Sequence, residues 1–291
     1  MGFMNKLYIG GEWREASDGG TFEVLNPADE SVITKVSSGT TDDAIACVNA
    51  AEDAFDGWAS LSPRERGEVL RKAYELFMDK IDDIAHLITL ENGKAGGDAI
   101  GEARYAAEFF RWYAEEAVRS DGHLGMAPAT GARILVHQKP AGISVLVTPW
   151  NYPAAMGTRK IGPALAAGCT VVHKPAEFSP LTAKILIEIA EEVGLPKGVW
   201  NMINGYGEEA GKFLTEHPDI KAVSFVGEST TGSMIMRQGA ETLKRVHFEL
   251  GGKNAVVVFE DADLERAADA VVFMIYSLNG CLLYTSPSPR D

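Results

Sequence analysis

An α/β fold built on a doubly wound parallel sheet is predicted for this chain of 291 residues by three observations. First, short apolar runs at residues 143–147, 169–173, 199–203 and 222–226 alternate with helix-patterned segments at 160–167, 182–193, 208–216 and 230–239. Second, apolar strands separated by helices require a parallel sheet covered on both faces, because each crossover helix must bury its own apolar side. Third, the N-terminal third is helical in pattern. It is separated from the sheet by residues 122–138, which hold three glycines, one proline and the apolar run Ile134, Leu135, Val136. That composition reads as a projecting β-hairpin.

The remaining elements follow from local signals. Residues 7–13 carry Gly10-Gly11 between apolar neighbours and predict a short hairpin. Thr41-Asp42-Asp43 starts a helix over 41–58, and Ser62-Pro63 starts the next, with Val69, Leu70, Ala73, Leu76 and Phe77 on its apolar side. Helical periodicity continues over 81–92 and 99–117. In the last of these, Tyr105, Phe109, Phe110, Trp112 and Tyr113 read as core residues rather than as a cofactor box. Two more strands are expected at 246–249 and 255–259.

Composition narrows the function. A net charge of −14 and a pI near 4.9 argue against nucleic acid or an anionic membrane surface as partner. No apolar run approaches the ~18 residues of a membrane span, and residues 1–6 lack the apolar core of a signal peptide. Cys47, Cys169 and Cys281 have neither paired nor metal-ligand spacing, so they read as reduced thiols of a cytoplasmic protein, and no metal site is expected. Cys169, inside an apolar strand, is expected to be inert.

The motifs lie at the carboxyl ends of the expected strands, where ligands bind on such sheets. Thr148-Pro149-Trp150-Asn151 follows the first strand, and Lys174-Pro175-Ala176-Glu177 the second. Gly205-Tyr206-Gly207 and the residues after it are one residue too long for a dinucleotide fingerprint. Phe225-Val226-Gly227-Glu228 feeds a helix start, where free N–H groups and the helix dipole favour phosphate. Phe248-Glu249-Leu250-Gly251-Gly252-Lys253 places a carboxylate before two flexible glycines.

In order and separation these segments, with residues 163–168, resemble the aldehyde dehydrogenase superfamily over residues 5–280. The resemblance implies a cofactor-binding domain in two parts, 1–121 and 141–250, an oligomerisation hairpin at 122–140 and the start of a catalytic domain at 251–280, most of which is missing. It implies a small-molecule aldehyde as substrate, NAD as cofactor with NADP possible, and a homo-oligomer, dimer or tetramer, for the full-length parent. By the same resemblance Asn151 donates to the developing oxyanion and Glu249 acts as general base. The resemblance also implies that Lys174 and Glu177 hold the adenosine ribose. The carboxylate accepts from both ribose hydroxyls and repels a 2′-phosphate, so it favours NAD. Thr148, Pro149, Trp150, Ala176, Gly207, Phe225, Gly227, Glu228 and Leu250 complete the implied cofactor site. Glu228 should point away from a pyrophosphate.

Residues 154–160 look like succinate-semialdehyde dehydrogenases, in which an arginine at the position of Arg159 helps hold the substrate carboxylate. Residues 275–280 are similar instead to hydroxymuconic-semialdehyde dehydrogenases, and Ser277 stands where the first group has a second arginine. The resembled pattern opens with Asn279-Gly280 and calls for cysteine at position 283, which is Leu283. Cys281 sits two residues early. Residues 281–291, with Ser-Pro-Ser-Pro, read as a non-native tail. Three functions remain open: oxidation of an anionic semialdehyde by the full-length parent, nucleotide binding without redox chemistry by this inactive chain, or a non-enzymatic structural relative.

Overall fold

A computed structural model describes residues 6–252 and 255–276. The chain begins with a hairpin, β1 (Leu7–Ile9) and β2 (Glu12–Arg14), turned by Gly10 and Gly11 at positive φ. A second hairpin follows, β3 (Thr21–Leu25) and β4 (Val32–Ser37), which the sequence reading did not include. Four helices come next: α1 (Thr41–Ser60), α2 (Pro63–Asp79), α3 (Ile81–Asn92) and α4 (Gly96–Glu116). Thr40 and Ser62 begin α1 and α2 as reciprocal capping boxes with Asp43 and Glu65. The projecting hairpin is β5 (His123–Met126) with β6 (Arg133–Val136).

The parallel part alternates as expected: β7 (Ile143–Val147), α5 (Pro153–Ala166), β8 (Val171–Lys174), α6 (Pro180–Glu192) and β9 (Trp200–Met202). A π-helical turn at Gly207–Gly211 leads into the short α7 (Lys212–Glu216), in place of the single helix expected over 208–216. Then come β10 (Ile220–Val226), α8 (Ser229–Ala240), β11 (Arg245–Glu249) and α9 (Leu264–Tyr276).

The sheet order is β11-β10-β7-β8-β9-β1-β2. From β7 the chain winds outward first through β8 and β9, then through β10 and β11 on the other side. All of these pairings are parallel, and β1 closes the edge antiparallel to β9. The order therefore reverses between β7 and β10, the topological switch point at which such sheets bind ligands. One core lies between the sheet and α2–α6, with Trp58, Phe77, Phe110, Leu186 and Trp200 fully enclosed. A smaller core under α1 and α7 includes Val48, Val145, Leu214 and Val223.

Two further expectations are corrected. Residues 255–259 form no strand; Val256, Val257, Val258 and Phe259 are exposed, and no described strand pairs with them. The aromatics of α4 divide between two faces. Phe110 is buried and Phe109 and Tyr113 partly so, but Tyr105 and Trp112 are exposed by 47% and 60%. The cause is helical spacing: residues 105, 109 and 112 form a stripe rotated away from the Phe110 side, which faces Phe77. Both faces of β5–β6 are open, with Leu124, Met126, Ile134, Leu135 and Val136 all exposed. Among the described residues no helix is long and apolar enough to cross a membrane.

Glu91, near the end of α3, ties that helix to the start of α6. Its two carboxylate oxygens accept from the Leu181 and Thr182 N–H groups, each at 2.7 Å. Burial nevertheless pushes this carboxyl from 4.5 up to about 7. Between those pH values the native chain holds a proton that the unfolded chain has released. The protonated form's contribution is complete below the unfolded value and is lost as pH rises through the folded one. Chemical denaturation of the chain and of Glu91→Gln between pH 4.5 and 7.5 should show the parent losing up to about 3 kcal/mol relative to the variant. A difference independent of pH would contradict this account of Glu91.

Candidate functional site

The parallel register brings four strand ends into line. Val147 is paired with Lys174 on one side and with Phe225 on the other, and Val226 with Glu249. The segments that follow β7, β8, β10 and β11 therefore share one edge of the sheet. They are the four in which the sequence places candidate residues.

After β7, Thr148 is buried. Its N–H donates to the Lys174 carbonyl at 3.1 Å, and its hydroxyl lies 2.9 Å from His173 Nε2. Burial and the neighbouring Lys174 charge hold His173 far down, at about 3, so the ring is neutral at physiological pH. Pro149 and Trp150 are half-buried and Asn151 is buried. The α3–α4 corner fixes this turn: Asn92 Nδ2 donates to the Trp150 carbonyl at 2.9 Å, and Lys94 Nζ to the Asn151 carbonyl at 2.9 Å.

After β8, the Lys174 ammonium is almost fully enclosed, and burial lowers it from its ordinary range. Its Nζ lies 4.0 Å from Glu177 and 3.4 Å from the Pro175 carbonyl. Ala176 is buried, and the Glu177 carboxylate is one-third exposed at the rim. After β10, Phe225 is buried with Phe248 edge-on at 6.3 Å, and Gly227 turns the chain into α8. A side chain at Gly227 would meet the Phe225 ring at 2.5 Å. Glu228 is exposed and its side chain makes no cap hydrogen bond to the first turn of α8. Leu250 packs against Gly232, where an added Cβ would lie 2.7 Å from a leucine methyl. Gly207 opens the π-helical turn at the exposed end of this edge.

These groups fit a dinucleotide. An enclosed ammonium, a rim carboxylate and a helix N-terminus flank the switch point: the carboxylate can accept from ribose hydroxyls, and the ammonium and the helix N–H groups can donate to ribose and pyrophosphate oxygens. A neighbouring cleft of about 640 Å³ does not suit phosphate, because Asp18, Asp42, Glu208, Glu209 and Glu216 line it with one lysine, Lys212.

Glu249, at the end of β11, is ion-paired. Its carboxylate pairs with Lys160 of α5, and its other oxygen is 3.7 Å from the Arg159 guanidinium. Burial lowers the Lys160 ammonium, while Glu249 pulls the other way. Lys160 Nζ also lies 3.3 Å from His247 Nδ1, which is 3.2 Å from Ser224 Oγ. These side chains line a cleft of about 570 Å³ with Tyr105, Phe109 and Arg245. The expected general base and the expected carboxylate-binding arginine thus meet in one ion-paired group, and an entering carboxylate would compete with Glu249 for Arg159.

Sequence reasoning missed Lys94, Glu102, Lys160 and His247. Lys160 carried a usable signal, being a charge in the otherwise apolar or small run 160–167. Lys253, Ser277, Asn279, Gly280, Cys281 and Leu283 lie outside the described residues, and with them the nucleophile position and the expected tail. Among the described residues no group of histidine, cysteine and acidic side chains could hold a metal. Cys47 and Cys169 are buried, and burial drives the Cys47 thiol up, away from the reactive thiolate.

The sequence model of the Aldehyde dehydrogenase family matches residues 13–282. Among curated relatives, succinate-semialdehyde dehydrogenase [NADP(+)] 1 of Schizosaccharomyces pombe is 44% identical over 271 residues, covering 93% of this chain and 54% of that protein. Glutarate-semialdehyde dehydrogenase of Pseudomonas putida is 41% identical over 278 residues, covering 96% and 58%. Among solved structures, betaine aldehyde dehydrogenase from Staphylococcus aureus in complex with NAD+ superposes with a TM-score of 0.95 at 34% identity, covering 98% of this chain and 57% of that one. Succinate-semialdehyde dehydrogenase from Burkholderia pseudomallei gives a TM-score of 0.93 at 39% identity, covering 96% and 58%. The chain spans little more than half the length of these relatives.

Proposed function

The chain belongs to the aldehyde dehydrogenase family, and from that premise we propose that the whole protein oxidises an anionic semialdehyde to the dicarboxylate with NAD(P). The observation that carries the proposal is the common edge of β8, β7, β10 and β11, which ends in Lys174, the Thr148–Asn151 turn, Gly227 and Glu249. Bound at that edge, NAD(P) supplies the acceptor for the hydride that leaves the aldehyde carbon.

The chain's own groups divide the remaining work. Lys174 and Glu177 hold ribose hydroxyls, and the N-terminus of α8 receives the pyrophosphate. Thr148, Pro149, Trp150, Ala176, Phe225 and Leu250 line the crevice, while Gly207 borders its outer end and Glu228 stays in solvent. The Asn151 amide, a neutral donor, meets the carbonyl oxygen as negative charge develops on it. Glu249 becomes a base once it leaves Lys160. Arg159 pairs with the substrate's own carboxylate, and that exchange would free one Glu249 oxygen. Relatives named for succinate and glutarate semialdehydes support an anionic substrate. Hydroxymuconic semialdehyde has the same charge. The exposed β5–β6 hairpin supports a homo-oligomer in which those strands pair with a neighbouring subunit.

A second reading holds for the 291 residues themselves: nucleotide binding without oxidation. Leu283 at the position that calls for the thiol favours it. Glu249 alone cannot replace covalent thiol catalysis. Purified chain with NAD and succinate semialdehyde should form no NADH. Steady NADH production abolished by Cys281→Ser would contradict this and make Cys281 the nucleophile.

Glu177 sets the choice of nucleotide, so calorimetry should find NAD bound more tightly than NADP by this chain. Glu177→Gln should narrow the gap by removing the carboxylate's repulsion of a 2′-phosphate. Tighter binding of NADP by the unmodified chain would refute the role given to Glu177.

A further inference from the structure

We propose that the buried ion pair between Lys94 and Glu102 is a positioning device that holds the backbone of residues 150–155 and so aims the Asn151 amide. Gly93 ends α3 in the left-handed conformation, at φ 74°, and turns the chain inward so that the Lys94 side chain is fully enclosed. Its ammonium pairs with Glu102 of α4, donates to the Asn151 carbonyl at 2.9 Å and lies 4.3 Å from the centre of the Tyr152 ring. The other Glu102 oxygen accepts from the N–H groups of Ala154 at 2.9 Å and Ala155 at 3.3 Å. These open α5, which has no side-chain cap of its own. Asn92 completes the grip on the Trp150 carbonyl.

Carbonyls of the turn are thus held from above, and amides of the following helix from the same pair. The turn cannot shift along the strand axis without breaking a charge-assisted bond in a site that excludes water. A buried ion pair contributes little net stability compared with apolar residues of equal volume; what it adds is a unique arrangement. Here that arrangement belongs to the backbone on either side of Asn151. Packing alone would not require a lysine and a glutamate at these two sites.

The inference rests on the reading of Asn151 as the oxyanion donor, but its test does not depend on activity. The full 291-residue chain carries five tryptophans, and 5-fluorotryptophan labelling gives each a 19F resonance. The double variant Lys94→Met with Glu102→Gln removes both charges, so neither is left buried and unpaired. In this variant the Trp150 resonance and the Asn151 side-chain amide signal should shift and broaden, while Trp58 and Trp200 stay in place. In the unmodified chain the Ala154 and Ala155 amides should exchange only through global unfolding, a measurement that needs no variant. A folded double variant with unmoved Trp150 and Asn151 signals would overturn the proposal. So would exchange of the two alanine amides faster than global unfolding. Failure of the chain to bind NAD would instead count against the proposed function and leave these signals as they are.

Discussion

The pairing of β7 with β8 on one side and with β10 on the other determines where every candidate group stands. Each pairing is parallel, with Val147 level with Lys174 on one side and with Phe225 on the other, so Lys174, Thr148 and Gly227 stand within two residues of one level at the same edge. A one-residue slip in β7 would turn its side chains to the opposite faces and carry the Thr148–Asn151 turn with it. Apolar side chains on both faces of β7 resist such a slip, because Val145 and Leu146 are buried in different cores. Sheet register, set by hydrophobic burial, is thereby converted into the geometry of a polar site.

Buried carboxyl and ammonium groups then refine what the sheet makes approximate. Glu91 caps α6, Glu102 caps α5 and shares Lys94 with the Asn151 carbonyl, and Lys160 pairs with Glu249. All three carboxylates lie on the side of the sheet covered by α3, α4 and α5 or at its rim. A desolvated charge is costly alone, so the Lys94–Glu102 and Lys160–Glu249 pairs survive only where both partners are in place, whereas burial raises the Glu91 carboxyl toward its neutral form. The Glu249 pairing differs from the other two in consequence. Glu91 and Glu102 are enclosed, whereas Glu249 is partly exposed at a cleft and borders Arg159, so an arriving anion can reorganise it.

The sequence is legible where periodicity and burial coincide. The range read for β7 and for α3 matches the structure, because each is bounded by turn residues and apolar at its own spacing. Periodicity places the start of α5 at 160, seven residues after Pro153, because residues 153–159 carry few large apolar side chains to mark a period. The β3–β4 hairpin carries only a weak signal, Phe22 and Val24 alternating with polar neighbours, and its own core is small, with Phe22, Val24, Val36 and Leu181. The strand expected at 255–259 has the composition of a strand, but composition cannot supply a pairing partner. At the site, turn motifs marked Asn151, Lys174 and Glu249. Lys94 and Glu102 could not be read, since an enclosed lysine and a solvated one look alike until the α3–α4 corner folds over the turn.

Hydrogen exchange of the 291-residue chain, read by mass spectrometry with and without NAD, tests the central claim that the switch point between β7 and β10 is a dinucleotide crevice. The account predicts protection on NAD addition in peptides covering residues 148–152, 174–177 and 226–231, with none at the acidic cleft around Asp42 and Glu216. Absence of protection at saturating NAD, or protection confined to that acidic cleft, would contradict it.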